Sequence, residues 1–251
     1  MKITIDGKIC EAEPGEFILE VARRNNIYIP TLCHSDALPG LASCRLCIVE
    51  VIDRGRSKVV TSCIFPISKE VEVVTNSYKI RRMRKNIVML LQARCPANKE
   101  VAELARAFEV EQKRVKRFKL DMEENCILCG LCARACKELG AGAISTVNRG
   151  IYKKVSTPYG DPSPDCIGCA SCANVCPTNA IKVVDWDGER KIWGKKFKMV
   201  KCDLCGKYFA TEEHVKYAYS RLNMNPPEKL LCSTCKKKIA AKDIKDIFET
   251  V

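Results

Sequence analysis

The chain has 251 residues, eighteen of them cysteine, and a formal charge of +13. No apolar run approaches the roughly 20 residues that a membrane-spanning helix needs, the longest being Ile87-Val-Met-Leu-Leu91, so such a span is excluded. The opening MKITIDGK lacks an apolar signal segment and the CxxC spacings favour metal over disulfides, which predicts a soluble protein of the reducing cytoplasm. The cysteines fall in separated groups, each too small for a large hydrophobic core, so an α+β chain of several metal-stapled modules is expected.

In the first module, 1–76, Ile3 and Ile5 alternate, Asp6-Gly7 turns, and Lys8-Ile9-Cys10-Glu11-Ala12 returns, which predicts a β-hairpin. A helix over 16–25 places Phe17, Ile18, Val21 and Ala22 at helical spacing. Next comes Cys33-x10-Cys44-x2-Cys47-x15-Cys63, with strands over 46–52 and 59–62 joined by an Arg-Gly-Arg-Ser turn, and a last strand holding Val71 and Val73. This order of hairpin, helix, cysteine loop and returning strands resembles a plant-type [2Fe-2S] ferredoxin domain of the β-grasp fold. The ten-residue first gap departs from the C-x4-C-x2-C spacing of that family. It is similar instead to the N-terminal ferredoxin domain in the large iron-sulfur subunit of respiratory complex I and in diaphorase subunits of NAD-linked hydrogenases and formate dehydrogenases. That resemblance implies Cys33, Cys44, Cys47 and Cys63 as the ligands of one [2Fe-2S] cluster.

Over 77–120 the pattern is helical. Ser77 is placed to cap a helix reaching about residue 94, with Ile80, Met83, Ile87, Leu90 and Leu91 on one face, and a second helix is expected over 99–108. In the complex I subunit the matching region carries a further cluster bound by one histidine and three cysteines. Here only Cys95-Pro96 corresponds, and no histidine lies between His34 and His214, so that cluster is expected to be absent and the segment to be a spacer. Cys95 and Cys10 read as small buried side chains.

Over 121–185 two runs repeat: Cys126-x2-Cys129-x2-Cys132-x3-Cys136 and Cys166-x2-Cys169-x2-Cys172-x3-Cys176-Pro177. This spacing wraps a chain around two [4Fe-4S] clusters, the fourth cysteine of each run ligating the other cluster. One cluster then takes Cys126, Cys129, Cys132 and Cys176; the other takes Cys166, Cys169, Cys172 and Cys136. The region resembles a bacterial two-cluster ferredoxin, although Cys136-Lys137 lacks the proline that ends the second run. Gly130, Ala133, Gly168 and Ala170 are small enough for backbone N–H groups to approach the sulfurs. Residues 137–165 form a longer insert than a minimal ferredoxin has, and the Pro/Gly-rich stretch 157–164 is expected to be a surface loop.

Over 186–251, Asp187-Gly188 turns a hairpin between Trp186 and Trp193. Two knuckles, Cys202-x2-Cys205-Gly206-Lys207 and Cys232-x2-Cys235-Lys236, flank a helical stretch over 211–222. This is a zinc-ribbon-like arrangement closing on one zinc ion, although four cysteines alone leave a further iron-sulfur cluster open. His214 is expected on the helix surface, and a last helix over 234–248 shows Ile239, Ala240, Ile244, Ile247 and Phe248 on one face.

Each four-thiolate site carries about −2 with its metal, so four of them bring the formal +13 to roughly +5. Most of the basicity therefore compensates metal sites. The basic runs over 79–85 and 113–119 read as solvated helix faces, with docking to an acidic subunit as the alternative. There is no GxGxxG loop, no Ser/His/Asp arrangement and no flavin or nicotinamide motif, so the chain must exchange single electrons with sites on other chains.

Over residues 1–185 the chain resembles the electron-transfer subunits of NAD(P)-linked hydrogenases, formate dehydrogenases and transhydrogenases, some of them electron-bifurcating. The resemblance implies an FMN- and NAD(P)-binding flavoprotein partner, a thioredoxin-like [2Fe-2S] subunit, and a catalytic subunit or ferredoxin at the other end. A freely diffusing polyferredoxin is the alternative. A nucleic-acid partner is not expected, because aromatic content is only 6% and no reading motif accompanies the basic runs.

Overall fold

The structure, a computed structural model, describes residues 1–111 and 124–249, with side chains through 242. Strands β1 (Lys2–Ile5) and β2 (Lys8–Glu11) are joined by Asp6 and Gly7 at φ 48° and 83°, a pair of left-handed residues that matches the twist of a two-residue hairpin. Helix α1 (Ile18–Arg24) follows, then β3 (Ile48–Asp53), β4 (Arg56–Thr61) and β5 (Glu72–Val74). The five strands lie in the order β2-β1-β5-β3-β4, with β1 and β5 parallel and the other neighbours antiparallel. One face of the sheet holds α1 through a core of Ile3, Ile5, Ile18, Leu19, Val49, Val51 and Val73. The strand expected from residue 46 begins at Ile48, because Arg45, at φ 59°, still belongs to the turn of the cysteine loop.

Helix α2 (Tyr78–Arg94) is capped by Ser77, whose Oγ accepts from the Ile80 N–H at 3.2 Å, and α3 (Lys99–Ala107) by Asn98, which accepts from Val101 N–H at 3.1 Å. The buried stripe of α2 differs from the expected one. It contains Ile80, Arg84, Val88 and Gln92, whereas Met83 and Leu90 are exposed. The cause is Arg84: its guanidinium reaches under the cysteine loop, donating from Nε to Leu46 O at 2.9 Å and from Nη2 to Ile48 O at 2.7 Å. These bonds fix the rotation of the helix.

After α4 (Leu131–Glu138), the insert forms a hairpin of β6 (Ser145–Val147) and β7 (Lys154–Ser156), and α5 (Ser171–Asn174) packs on α4. The stretch 157–164 is not wholly a surface loop: Tyr159 is fully exposed, but Thr157 and Ser163 are buried.

A second sheet combines β8 (Val183–Trp186), β9 (Glu189–Ile192), β10 (Lys195–Lys201) and β11 (Tyr208–Thr211), antiparallel throughout in the order β11-β10-β9-β8. It starts at Val183, so the expected 185/186 boundary falls inside its first strand. Asp187-Gly188 makes one tight turn and Trp193-Gly194 another, at φ 51° and 76°. Asn is the usual first residue of such a turn, and an L residue held there costs about 1–2 kcal/mol. Helix α6 (Glu212–Arg221), capped by Thr211, and α7 (Ser233–Glu249) complete the chain. The basic run 113–119 and the 120/121 boundary lie outside the described residues, as do the side chains of Ile244, Ile247 and Phe248. Among the described residues no helix is long and apolar enough to cross a membrane.

Candidate metal centres

Cys33, Cys44, Cys47 and Cys63 are all buried and meet in two pairs. Cys47 Sγ lies 3.3 Å from Cys63 Sγ, and the Cys44 N–H donates to Cys33 Sγ at 3.4 Å. Hydrogen bonding from Cys44 draws the Cys33 thiol down to about 5, and Cys63 does the same to Cys47, to about 6. Cys44 and Cys63 are pushed up, by the same pairings and by burial. A buried pair of this kind ionises once; a metal cation is what allows all four sulfurs to become thiolates.

The two later runs fold on one template. Leu128 and Gly130 in the first run, and Gly168 and Ala170 in the second, occupy equivalent places and all have left-handed φ, between 57° and 75°. This curls each run into a loop that aims its sulfurs inward. Cys126, Cys129, Cys132 and Cys176 line one cavity of about 230 Å³, and Cys136, Cys166, Cys169 and Cys172 line another. The fourth cysteine of each run is thus delivered to the other nest. Backbone N–H groups point at sulfur: Leu128 to Cys126 at 3.4 Å, Ala143 to Cys136 at 3.2 Å and Ala180 to Cys176 at 3.3 Å. Burial pushes Cys129 up to about 11, Cys132 to about 12 and Cys172 to about 11, so ionisation there goes with iron rather than with pH. Four inward sulfurs around an apolar cavity with amide donors on them suit a cubane cluster.

The first two cysteine sites touch each other. Ser43 Oγ donates to Cys129 O at 2.8 Å, and Arg134 on α4 donates from Nη2 to Cys33 O at 2.8 Å and from Nη1 to Pro39 O. Leu41 packs beside Gly130, where a Cβ would come within 3.2 Å of it. Cys95 is fully buried in the same apolar cluster as Cys33, Cys44 and Cys129, and Cys10 is buried in the core of the first sheet.

Cationic side chains grip the loop carbonyls at each of these three nests. Besides Arg84 and Arg134, Arg94 Nε donates to Cys126 O at 2.7 Å, Arg190 Nη1 to Gly168 O at 3.0 Å, and Lys195 Nζ to Cys166 O at 2.8 Å. Sequence patterning missed these residues, and it read Arg84 only as part of a basic run. No local signal separates a lysine or arginine facing water from one folded under a loop.

In the C-terminal part, the sulfurs of Cys202, Cys205, Cys232 and Cys235 all lie within 4.8 Å of one another. Cys205 and Cys232 are 3.9 Å apart, and Cys232 N–H donates to Cys202 Sγ at 3.3 Å. A tetrahedral ion with metal-sulfur bonds of about 2.3 Å spaces its sulfurs by about 3.8 Å. A cubane, with its irons at separate corners, holds thiolates farther apart. His214 stands outside this group; it is half-buried on α6, and burial together with Arg190 pushes its pKa down.

Residues 1–78 match the 2Fe-2S iron-sulfur cluster binding domain family, and residues 121–183 match the 4Fe-4S dicluster domain family. The chain is 30% identical over 230 residues to an NADH-quinone oxidoreductase subunit of Rhizobium meliloti, covering 82% of this chain and 27% of that protein. It is 31% identical over 211 residues to the NADP-reducing hydrogenase subunit HndD of Solidesulfovibrio fructosivorans, covering 72% and 36%. To the NADPH-Fe(3+) oxidoreductase subunit alpha of Geobacter sulfurreducens it is 27% identical over 236 residues, covering 85% and 28%. The chain therefore spans between 27% and 36% of the length of these relatives. In a crystal structure of an NAD+-reducing [NiFe]-hydrogenase in the H2-reduced state, one chain superposes with a TM-score of 0.62 at 26% identity, covering 71% of this chain and 85% of that one. The two domain matches make this an iron-sulfur protein, and over most of its length the chain is similar to subunits of NAD(P)-linked oxidoreductases.

Proposed function

We propose that the chain carries single electrons through one [2Fe-2S] cluster on Cys33, Cys44, Cys47 and Cys63 and two [4Fe-4S] clusters, one on Cys126, Cys129, Cys132 and Cys176, the other on Cys166, Cys169, Cys172 and Cys136. Its ends serve a flavoprotein subunit that binds FMN and NAD(P), with an associated thioredoxin-like [2Fe-2S] subunit, and a catalytic or ferredoxin-reducing subunit. The observation that carries this reading is the direct seat of the 33–44 loop on the Cys129 turn, which sets cysteine nests of two different kinds side by side in one chain. The clusters supply one-electron redox chemistry when bound. The protein's own residues exclude water, hold the sulfurs and place cations against the loop carbonyls. Cys202, Cys205, Cys232 and Cys235 hold one structural zinc ion, a reading favoured by their tight grouping.

Metal analysis of protein purified without oxygen tests the whole assignment. About ten iron, ten sulfide and one zinc per chain are expected. About fourteen iron without zinc makes the C-terminal site a cluster; one iron beyond ten without zinc makes it a lone tetrahedral iron. A chelator that strips the zinc is expected to loosen the C-terminal sheet without bleaching the cluster absorbance.

The loop contact itself is testable. Arg134→Ala removes charge-assisted bonds to two carbonyls, at a cost of about 2 kcal/mol in stability. In the double variant with Ser43→Ala, the magnetic interaction between the [2Fe-2S] and the neighbouring [4Fe-4S] cluster should weaken at unchanged iron content. Unaltered relaxation of the [2Fe-2S] signal would show that the two clusters do not communicate through this contact.

A further inference from the structure

The dicluster match ends at residue 183, yet the hairpin that follows it folds back over one of the two nests. Trp193, in the turn between β9 and β10, donates from Nε1 to Cys172 Sγ at 3.5 Å. Two positions on, Lys195 Nζ donates to the carbonyls of Cys166 at 2.8 Å and Pro164 at 3.1 Å. From neighbouring strands, Arg190 donates to Gly168 O at 3.0 Å and Thr211 Oγ1 to Ile167 O at 2.5 Å. The sheet is pressed against the loop: a Cβ on Gly168 would lie within 2.9 Å of both the Phe197 ring and the Thr211 methyl.

The charges are not equivalent. Arg94, the cation on the Cys126 loop, is paired with Glu124 at 3.7 Å, and Arg190 shares its charge with Asp185 at 2.8 Å. Lys195 forms no ion pair with a carboxylate among the described residues, so its ammonium faces the Cys166 loop unneutralised.

Trp193 adds an independent observation. A bulky aromatic at φ 51° occupies a turn position that Asn or Gly would fill without strain, and its ring lines both cysteine cavities. Strain held at such a place points to a demand on the side chain rather than on the turn.

We propose that this hairpin sets the reduction potential of the cluster on Cys166, Cys169, Cys172 and Cys136, through the Trp193 N–H on a ligand sulfur and the Lys195 charge on the ligand loop. Reduction adds one electron and makes no bond, so groups that stabilise negative charge raise the potential. Trp193 and Lys195 are positioning residues of this cluster, and the C-terminal sheet is the scaffold that holds them. The inference rests on the cluster assignment proposed above.

The test is a redox titration of the full chain, followed by EPR without oxygen, for the unsubstituted protein, Trp193→Phe, Lys195→Met and Lys195→Arg. The cluster concerned is identified as the signal lost in Cys169→Ala. Trp193→Phe keeps the ring and removes the donor; Lys195→Met keeps the chain length and removes the charge. Both are expected to lower the midpoint of that one cluster, with iron content and the other two midpoints unchanged, and Lys195→Arg is expected to retain the original value. Midpoints that stay put, a shift shared by both [4Fe-4S] clusters, or loss of iron in these variants each overturn the proposal, the last by making the residues merely structural. Absence of a second cubane signal in the unsubstituted protein is a different failure, that of the cluster assignment.

Discussion

Cys129→Ala is expected to lower the iron content from about ten to about six per chain while the [2Fe-2S] signal persists. Cys129 is buried in its turn, and its main-chain carbonyl, which the substitution keeps, still receives Ser43. The loss is therefore of one sulfur ligand rather than of the loop. The crossed arrangement sharpens the test. Cys176 lines the cavity of the first run and Cys136 that of the second, so Cys176→Ala should abolish the signal lost in Cys129→Ala, and Cys136→Ala the one lost in Cys169→Ala. If Cys176→Ala instead removed the Cys169-dependent signal, each run would bind its own cluster and the crossed assignment would fall.

Arg84→Leu should be the most damaging substitution away from the cysteines. Arg84 is buried, and its two hydrogen bonds hold Leu46 O and Ile48 O on either side of Cys47. Burial pulls its pKa down, but the guanidinium stays charged, and Cys47 is the foremost group that favours that charge. With a cluster of about −2 in place, the buried cation and the cluster compensate each other. Leucine leaves two buried carbonyls without donors and the cluster without this counter-charge, a loss of about 3 kcal/mol. Lysine should restore little, since one ammonium cannot reproduce the planar fork that spans both carbonyls. Denaturant titration followed by the [2Fe-2S] absorbance reads this directly. Bleaching should begin at lower denaturant in Arg84→Leu, ahead of the [4Fe-4S] bands; an unchanged midpoint would mean that Arg84 contributes nothing to holding the loop.

Much of the fold was legible where its cause is local. The Asp6-Gly7 and Asp187-Gly188 turns form because adjacent left-handed residues suit a twisted hairpin, and Ser77 caps α2 because its hydroxyl meets the Ile80 N–H one turn on. The apolar stripe of α2 was misjudged because periodicity counts hydrophobic residues, whereas the buried row includes an arginine whose partners lie on another module. The sheet formed by β8 to β11 was legible only as one hairpin: Lys195–Lys201 alternates weakly between basic and apolar residues and pairs with strands on both sides.

The sequence by itself determined which cysteines group together within each run, since a metal site demands several thiolates within a few residues and leaves them little freedom of spacing. Only the tertiary structure decided how the nests are joined, and what touches them. Arg84 meets Leu46 across 38 residues of chain, Ser43 meets Cys129 across 86, and Arg134 meets Cys33 across 101. Trp193 and Lys195 reach back to the second nest across 21 and 29 residues. Such contacts require one donor at one place in space, which many residue types at many positions could supply, so spacing carries no trace of them. The folded chain selects the donors, and with them the charge and hydrogen bonding around each candidate cluster.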